Sequence, residues 1–212
     1  MAYEPGLYAN TRVRPQQARG KARVRAILSV ALELFRVRGL DVVTTNDIAK
    51  GANIPIGSLY RYFPNKDAII SALTQMYVTD ISALFREIGK NPMLPHMSWD
   101  EVLTLLLEAW IQYAQLNGPF ALLYSERANP RLRELSNVHW QQFLKAFGNV
   151  LAKRCPEITE QQKLVSLQMA LGTSELALNT EYQDQNPTLY YEAIGAIAAY
   201  LQKSCMLHAH HR

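Results

Sequence analysis

Ten prolines punctuate this 212-residue chain, and six of them fall where an apolar helical pattern stops: Pro92, Pro95, Pro119, Pro130, Pro156 and Pro187. Proline has no amide N–H to give a helix interior and clashes with the preceding turn, so these positions bound helices. They predict helices near 98–117, 120–128, 131–154, 160–183 and 187–205. Upstream, Val24, Ile27, Leu28, Ala31, Leu34 and Phe35 recur at three-and-four spacing, closed by a basic last turn (Arg36, Arg38) and Gly39. A longer pattern from Lys66 to about Gly89 carries Ile69, Ile70, Leu73, Met76, Tyr77, Ile81, Leu84 and Phe85. No alternating β-branched run of useful length survives. The chain reads as all-α.

Charge is divided unevenly along it. Residues 1–66 hold eleven Lys/Arg against four Asp/Glu, a balance of +7, while the rest hold eleven against fourteen, a balance of −3. Such an asymmetry is expected where one end of a protein meets a polyanion. Other classes recede. The apolar stretch Ala193–Leu201 is far short of the ~20 residues of a membrane span. The opening MAYEPGLYAN lacks the apolar core of a signal peptide. Two cysteines, Cys155 and Cys205, make neither a disulfide framework nor a four-cysteine zinc site. A cytoplasmic protein with no membrane partner is expected.

The densest local information lies in GLDVVTTNDIAKGANIPIGSLYRYFPNK, from Gly39 to Lys66. Thr44 with Asp47 three residues on resembles a capping box and would start a short helix. Ile48, Ala49 and Ala52 give that helix a small apolar face. Asn53 tolerates the left-handed backbone of a tight turn, Ile54 would plug the corner from inside, and Pro55 suits the first position of a new helix. Leu59 and Phe63 then face the core at i, i+4 spacing. Ile56, Gly57, Ser58, Tyr60, Arg61 and Tyr62 are left outward. Two short helices joined by such a turn make a helix-turn-helix. The outward set suits the major groove: Gly57 and Ser58 let the backbone come close, and the two tyrosines offer hydroxyls to phosphates. Arg61 can grip a guanine edge, with a phosphate contact or plain solvent exposure as the alternatives, and Lys66 is placed for a phosphate. For Tyr62, packing in the core or at its rim is the alternative.

On these residues the segment resembles the DNA-binding domain of the TetR (tetracycline-repressor-like) family of bacterial transcriptional regulators. The matching run is Gly39, Thr44–Thr45, Ile48–Ala49, Ala52, Gly57, Leu59–Tyr60, Tyr62–Phe63 and Lys66, within roughly residues 20–70. Two positions depart from the family's pattern, Asn53 where glycine is usual and Pro55 where a serine or threonine cap is usual. The resemblance implies a homodimer reading a palindromic double-stranded operator, most often as a repressor, and released by a small molecule bound in C-terminal helices. It carries DNA contacts over to Thr44, Ile56, Ser58, Tyr60, Tyr62 and Lys66; Thr45, Gly57 and Arg61 complete the expected set. Arg12, Arg14, Arg19 and Lys21 either add contacts to DNA or form a solvated tail. The implied organisation is a flexible arm at 1–15, a helix-turn-helix domain at 16–66 and a helical effector-binding and dimerisation domain at 67–212.

In that last region the aromatic residues Trp110, Tyr113, Phe120, Tyr124, Trp140 and Phe143 are candidates for a pocket wall, alongside ordinary core packing. Gln168, Glu175 and Asn179 interrupt an apolar helix face, and a buried Glu175 would need a cation from Arg127, Arg131 or a ligand. An amphipathic, largely aromatic or aliphatic effector is expected. By resemblance to the family's four-helix dimer interface, Leu167, Leu171, Leu178, Tyr190, Ile194, Ile197, Ala198 and Leu201 are assigned to dimerisation, with burial inside the monomer as the alternative. No phosphate-cradling glycine loop, nucleophile elbow or zinc-protease motif occurs, so no enzyme, metal or cofactor is expected. Pro156 places Cys155 in an exposed loop, where a redox role with Cys205 would rest on Lys153 and Arg154 lowering a thiol pKa. The competing class is an all-α small-molecule-binding or enzymatic protein with incidental affinity for nucleic acid. A true reader loses ~1–3 kcal/mol per mismatched base pair, whereas an incidental binder answers only to salt.

Overall fold

The computed structural model describes residues 11, 18–117, 130–178 and 188–209; side chains of residues 116–140, 174–187, 204 and 206–212 are outside that description. Among the described residues the regular structure is helical: α1 (Ala18–Arg38), α2 (Thr45–Gly51), α3 (Ile56–Tyr62), α4 (Lys66–Ile88), α5 (Trp99–Asn117), α6 (Pro130–Arg154), α7 (Glu160–Leu178) and α8 (Leu189–Ala209), with a 3-10 turn at Leu94–His96. The all-α expectation is met. Pro130 opens α6 as its first residue, where a missing N–H costs nothing. The helix expected at 120–128 falls outside the described residues.

Two compact units divide the described residues within α4, one taking those up to Thr79 with 130–136 and the other Asp80–Asn117 with those from Asn137 on. In the first, α1 buries Val24, Ile27, Leu28, Ala31 and Phe35. Gly39 ends that helix with φ +82°, its N–H donating to Phe35 O at 3.0 Å. Ile48, Ala49, Leu59 and Phe63 join the same core. In the second unit, α5, α7 and α8 pack on one another. Phe85 on α4 lies 5.6 Å from Phe143 and 6.0 Å from Phe147 on α6, and Trp110 on α5 meets Phe143 edge-on at 4.9 Å. Such tilted ring pairs add about 0.5–1.5 kcal/mol each to the area they bury.

Local chemistry starts several helices. Ser98 N–H donates to Glu101 Oε2 (2.7 Å) and Glu101 N–H to Ser98 Oγ (3.2 Å), closing a capping box on α5. Thr159 and Gln162 do the same for α7 at 2.8 and 3.2 Å. By length and composition α4 could cross a membrane, yet 56% of its apolar window is buried inside the molecule, where it serves as a core helix.

Candidate nucleic-acid interface

α2 starts at Thr44, whose extended backbone (φ −104°, ψ 163°) leaves its hydroxyl in line with the helix. Asp47 N–H donates to Thr44 Oγ1 at 3.2 Å, and Thr44 N–H donates to Asp47 Oδ2 at 2.9 Å, the reciprocal pair expected from the spacing. The Thr44 hydroxyl also donates to Asp47 Oδ2 at 2.6 Å. These bonds, side chain first, hold the Asp47 carboxyl below its usual range, with a smaller contribution from Arg38, 3.5 Å away.

The corner is built by Asn53. Its φ of +51° lies in the left-handed region, its N–H donates to Lys50 O (3.1 Å), and Ile54 N–H reaches back to Ala49 O (3.0 Å). That bond pattern is a Schellman stop, usually made by glycine; asparagine is among the few other residues that adopt this backbone routinely. Ile54 is half-buried. Pro55 is the N-cap of α3 and not its first residue, a one-residue correction; its carbonyl accepts from Ser58 N–H at 2.8 Å. Gly51, one position before Ala52, is the close-approach residue: a Cβ there would lie 2.7 Å from Val30 Cγ1 on α1.

With the corner fixed, α3 turns Leu59 inward and presents Ile56, 36% exposed, and Tyr60, 41% exposed. Arg61 is exposed beside them, and Ser58 is half-buried. A Cβ at Gly57 would meet nothing within 4 Å, so the tip of the helix is open for close approach. Thr45 Oγ1 and the Tyr60 hydroxyl lie 3.0 Å apart and share a hydrogen bond, which joins the outward faces of the two helices.

Two expected members of this face behave differently. Tyr62 is only 6% exposed and packs with the core, so its outward placement is corrected. At i+3 from Leu59 it shares that residue's inward side. Lys66 was expected to hold a phosphate. Instead its ammonium donates to Leu40 O (2.8 Å) and Val43 O (3.1 Å), tying the start of α4 to the loop between α1 and α2. Sequence spacing carried no signal for that long-range bond. Of the arm, Arg19 and Lys21 are exposed on the first turn of α1, while Arg12 and Arg14 lie outside the described residues.

Residues 27–73 match the family model for bacterial regulatory proteins, tetR family. These residues form a TetR-family segment. Over 83 residues it is 31% identical to the HTH-type transcriptional repressor KstR2 of Rhodococcus jostii, a match covering 39% of this chain and 41% of that repressor. Matches to the first curated relatives span half or less of their length. A TetR-family regulator from Streptomyces coelicolor superimposes with a TM-score of 0.61 at 24% identity, over 87% of this chain and 98% of that one. FadR of Bacillus subtilis, solved in complex with stearoyl-CoA, gives 0.62 at 19% identity over 84% and 96%. These likenesses extend the family's fold through the C-terminal helices.

Of the six aromatic candidates for a pocket wall, three have described side chains. Trp110 and Phe143 are buried against each other in the core. Tyr113, half-buried, donates its hydroxyl to Asp80 Oδ2 at 2.7 Å. Phe120, Tyr124 and Asn179 lie outside the described residues, as do the side chains of Trp140 and Glu175. Gln168 is exposed, which corrects its placement within an apolar face. Two buried hydroxyls, of Ser82 and Tyr190, have no hydrogen-bond partner among the described residues. Burial pushes the Tyr190 phenol up to about 12, with the charge of Glu108 adding to the rise. Cys155, expected in an exposed loop, is buried.

Five of the eight dimerisation candidates are placed inside the monomer, the alternative given for them. Leu167, Ile194, Ile197, Ala198 and Leu201 are buried within the second unit itself, where α8 packs on α7 and α5. Leu171 and Tyr190 are half-buried, and the side chain of Leu178 is outside the described residues. Left exposed are Gln168 and Gly172 on α7 and Tyr191, Ala196 and Ala199 on α8, with Gly195 half-buried between them. A Cβ on Gly172 or Gly195 would meet nothing within 4 Å.

Proposed function

We propose that this chain is a cytoplasmic, ligand-responsive transcriptional regulator, acting as a repressor, that reads a palindromic operator as a homodimer. The observation that carries the reading is the outward face of α3, where Ile56, Tyr60 and Arg61 stand around the open Gly57 and the Thr45–Tyr60 bond fixes its orientation. A helix tip free of bulk admits the backbone to the major groove. An apolar Ile56 suits a thymine methyl, and Arg61 suits a guanine edge or a phosphate. The exposed small residues of α7 and α8 support a partner helix pair packed closely on that side.

The effector-binding part is assigned to the second unit. The unpartnered hydroxyls of Ser82 and Tyr190 support it, since buried polar groups without partners call for an explanation and a ligand's polar group would satisfy them. An amphipathic effector with a long apolar portion fits that reading, and acyl-CoA thioesters are the first class to try.

Selection of binding sites from random duplex DNA at near-physiological salt tests the proposal. A palindromic consensus, weakened by ~1–3 kcal/mol for each mismatched base pair, supports it. Recovery of DNA without consensus, bound with affinity that follows salt alone, would favour the competing reading of an all-α protein with incidental nucleic-acid affinity.

A further inference from the structure

Donor by donor, the helix-turn-helix face offers less to a phosphate than its residue types suggest. Thr44 has an N–H and a hydroxyl to give, and both go to Asp47 Oδ2, at 2.9 and 2.6 Å. Those bonds, the hydroxyl's first, hold the Asp47 carboxyl below its usual range, so at neutral pH it is a carboxylate that can only accept. Its negative charge beside the Thr44 hydroxyl disfavours a phosphate there, with Arg38 at 3.5 Å a partial offset. Lys66 gives its N–H bonds to Leu40 O and Val43 O. Tyr62 is buried.

Thr45 and Tyr60 are arranged differently. Their hydroxyl oxygens lie 3.0 Å apart, so one shared bond takes one of the two protons and leaves the other. Thr45, the first residue of α2, is half-buried, and Tyr60 on α3 is exposed. A phosphate reaches the more exposed group, which sends the Thr45 proton to the phenol oxygen and the phenol proton outward. On its own helix the ring has Gly57 three residues back, which offers no side chain to hold it. The hold comes from α2.

We propose that the Tyr60 hydroxyl is the phosphate donor of this face and that Thr45 is its positioning residue, without a DNA contact of its own, while Thr44 serves as a helix cap alone. The proposal rests on the operator-reading function above. Donation by Thr45 to the phenol oxygen orients the ring and polarises its O–H, which strengthens the bond to an anionic acceptor.

The test uses the full chain and the operator recovered by site selection, with affinities from fluorescence anisotropy. Tyr60→Phe should weaken binding about tenfold or more, as expected for a hydrogen bond to a charged acceptor. Thr45→Val should lose less, about threefold, since the phenol keeps its proton and loses its orientation. The double variant Thr45→Val/Tyr60→Phe should match Tyr60→Phe alone, and Thr45→Ser should bind as the parent does. The slope of log K against log salt should stay the same throughout, because a hydroxyl releases no counterion. Melting temperatures of these variants should stay near the parent's.

Operators carrying one methylphosphonate in place of each phosphate in turn supply a second readout. At one position in each half-site the parent's loss should vanish in Tyr60→Phe and shrink in Thr45→Val. Thr44→Ala should melt lower for want of its cap and keep every loss of the parent. Additive losses in the double variant would mean that Thr45 meets the DNA itself and would overturn the proposal. So would parental affinity in Tyr60→Phe, or a methylphosphonate loss missing from Thr44→Ala. A Thr45→Val protein that melts lower and loses affinity for all DNA alike would reduce the bond to structural support. Failure to recover any operator would remove the regulatory reading and this inference with it; an operator bound normally by these variants removes this inference alone.

Discussion

Replacing Lys66 by methionine separates two roles for one ammonium group. The structure gives it two bonds to backbone carbonyls, Leu40 O at 2.8 Å and Val43 O at 3.1 Å, in a part-buried setting. Methionine keeps most of the stem's packing and removes both bonds. Hydrogen bonds to a charged donor contribute about 1.5–3 kcal/mol each, and half-burial argues for the lower end, so the loss is about 3 kcal/mol. For a chain of this size each kcal/mol moves the melting temperature by roughly 2–4 °C, giving a drop of about 6–12 °C. Binding to duplex DNA should weaken without a change in its salt dependence, because no phosphate contact has been removed. Arg61→Met provides the contrast: an exposed side chain whose loss leaves the melt unmoved and, where it holds a phosphate, lowers the slope of log K against log salt by about 0.9 per contact. Fluorescence anisotropy across a salt series, with thermal melts on the same samples, reads both. A Lys66→Met protein that melts normally and loses about 0.9 per site in slope would refute the staple and restore Lys66 to the phosphates.

Three further outcomes follow from the same geometry. Asn53→Ala should cost about 1 kcal/mol in denaturant unfolding, the usual penalty for forcing a β-carbon into the left-handed region, whereas Asn53→Gly should cost little or stabilise; equal costs would mean that the side chain acts by bonding and not by backbone freedom. The Asp47 carboxyl is held below its usual range by Thr44, so its support for α2 is present above about pH 4, the unfolded value, and is lost as pH falls through the lower folded value. Acid titration followed by circular dichroism should show that loss in the parent and not in Asp47→Asn. Ala199→Glu places a charge on the exposed side of α8, away from the monomer core, and should turn a dimer into a folded monomer in sedimentation, with weaker operator binding; a dimer of undiminished affinity would move the interface elsewhere.

The helix-turn-helix was legible because its determinants are local. A cap and its partner lie three residues apart, a left-handed corner needs one permissive residue, and an inward face follows from i, i+4 spacing; Thr44 with Asp47, Asn53, and Leu59 with Phe63 each carry their own signal. What the sequence left open in this domain depended on a partner far along the chain. Gly51 reads as an ordinary helix residue until Val30 is found 2.7 Å from where its Cβ would be. Lys66 reads as a phosphate ligand until the carbonyls of Leu40 and Val43 are found accepting its N–H bonds. Tyr62 is amphipathic enough for either side, and its register with Leu59 decides the matter.

The second unit is harder to read because its helices are apolar on more than one side, so periodicity does not say which side the monomer keeps. α8 offers Ile194, Ile197 and Leu201 on one side and Gly195, Ala196 and Ala199 on another. Burying a leucine or isoleucine is worth about 1.5–3 kcal/mol, several times what an alanine methyl returns, so folding turns Ile194, Ile197 and Leu201 into the monomer, with Ala198 among them, and leaves Ala196 and Ala199 outside. This ordering keeps Ile194, Ile197 and Leu201, expected at a dimer face, within the second unit. For the proposed dimer, a surface without bulk at Ala196 and Ala199 lets a second copy's helices approach closely.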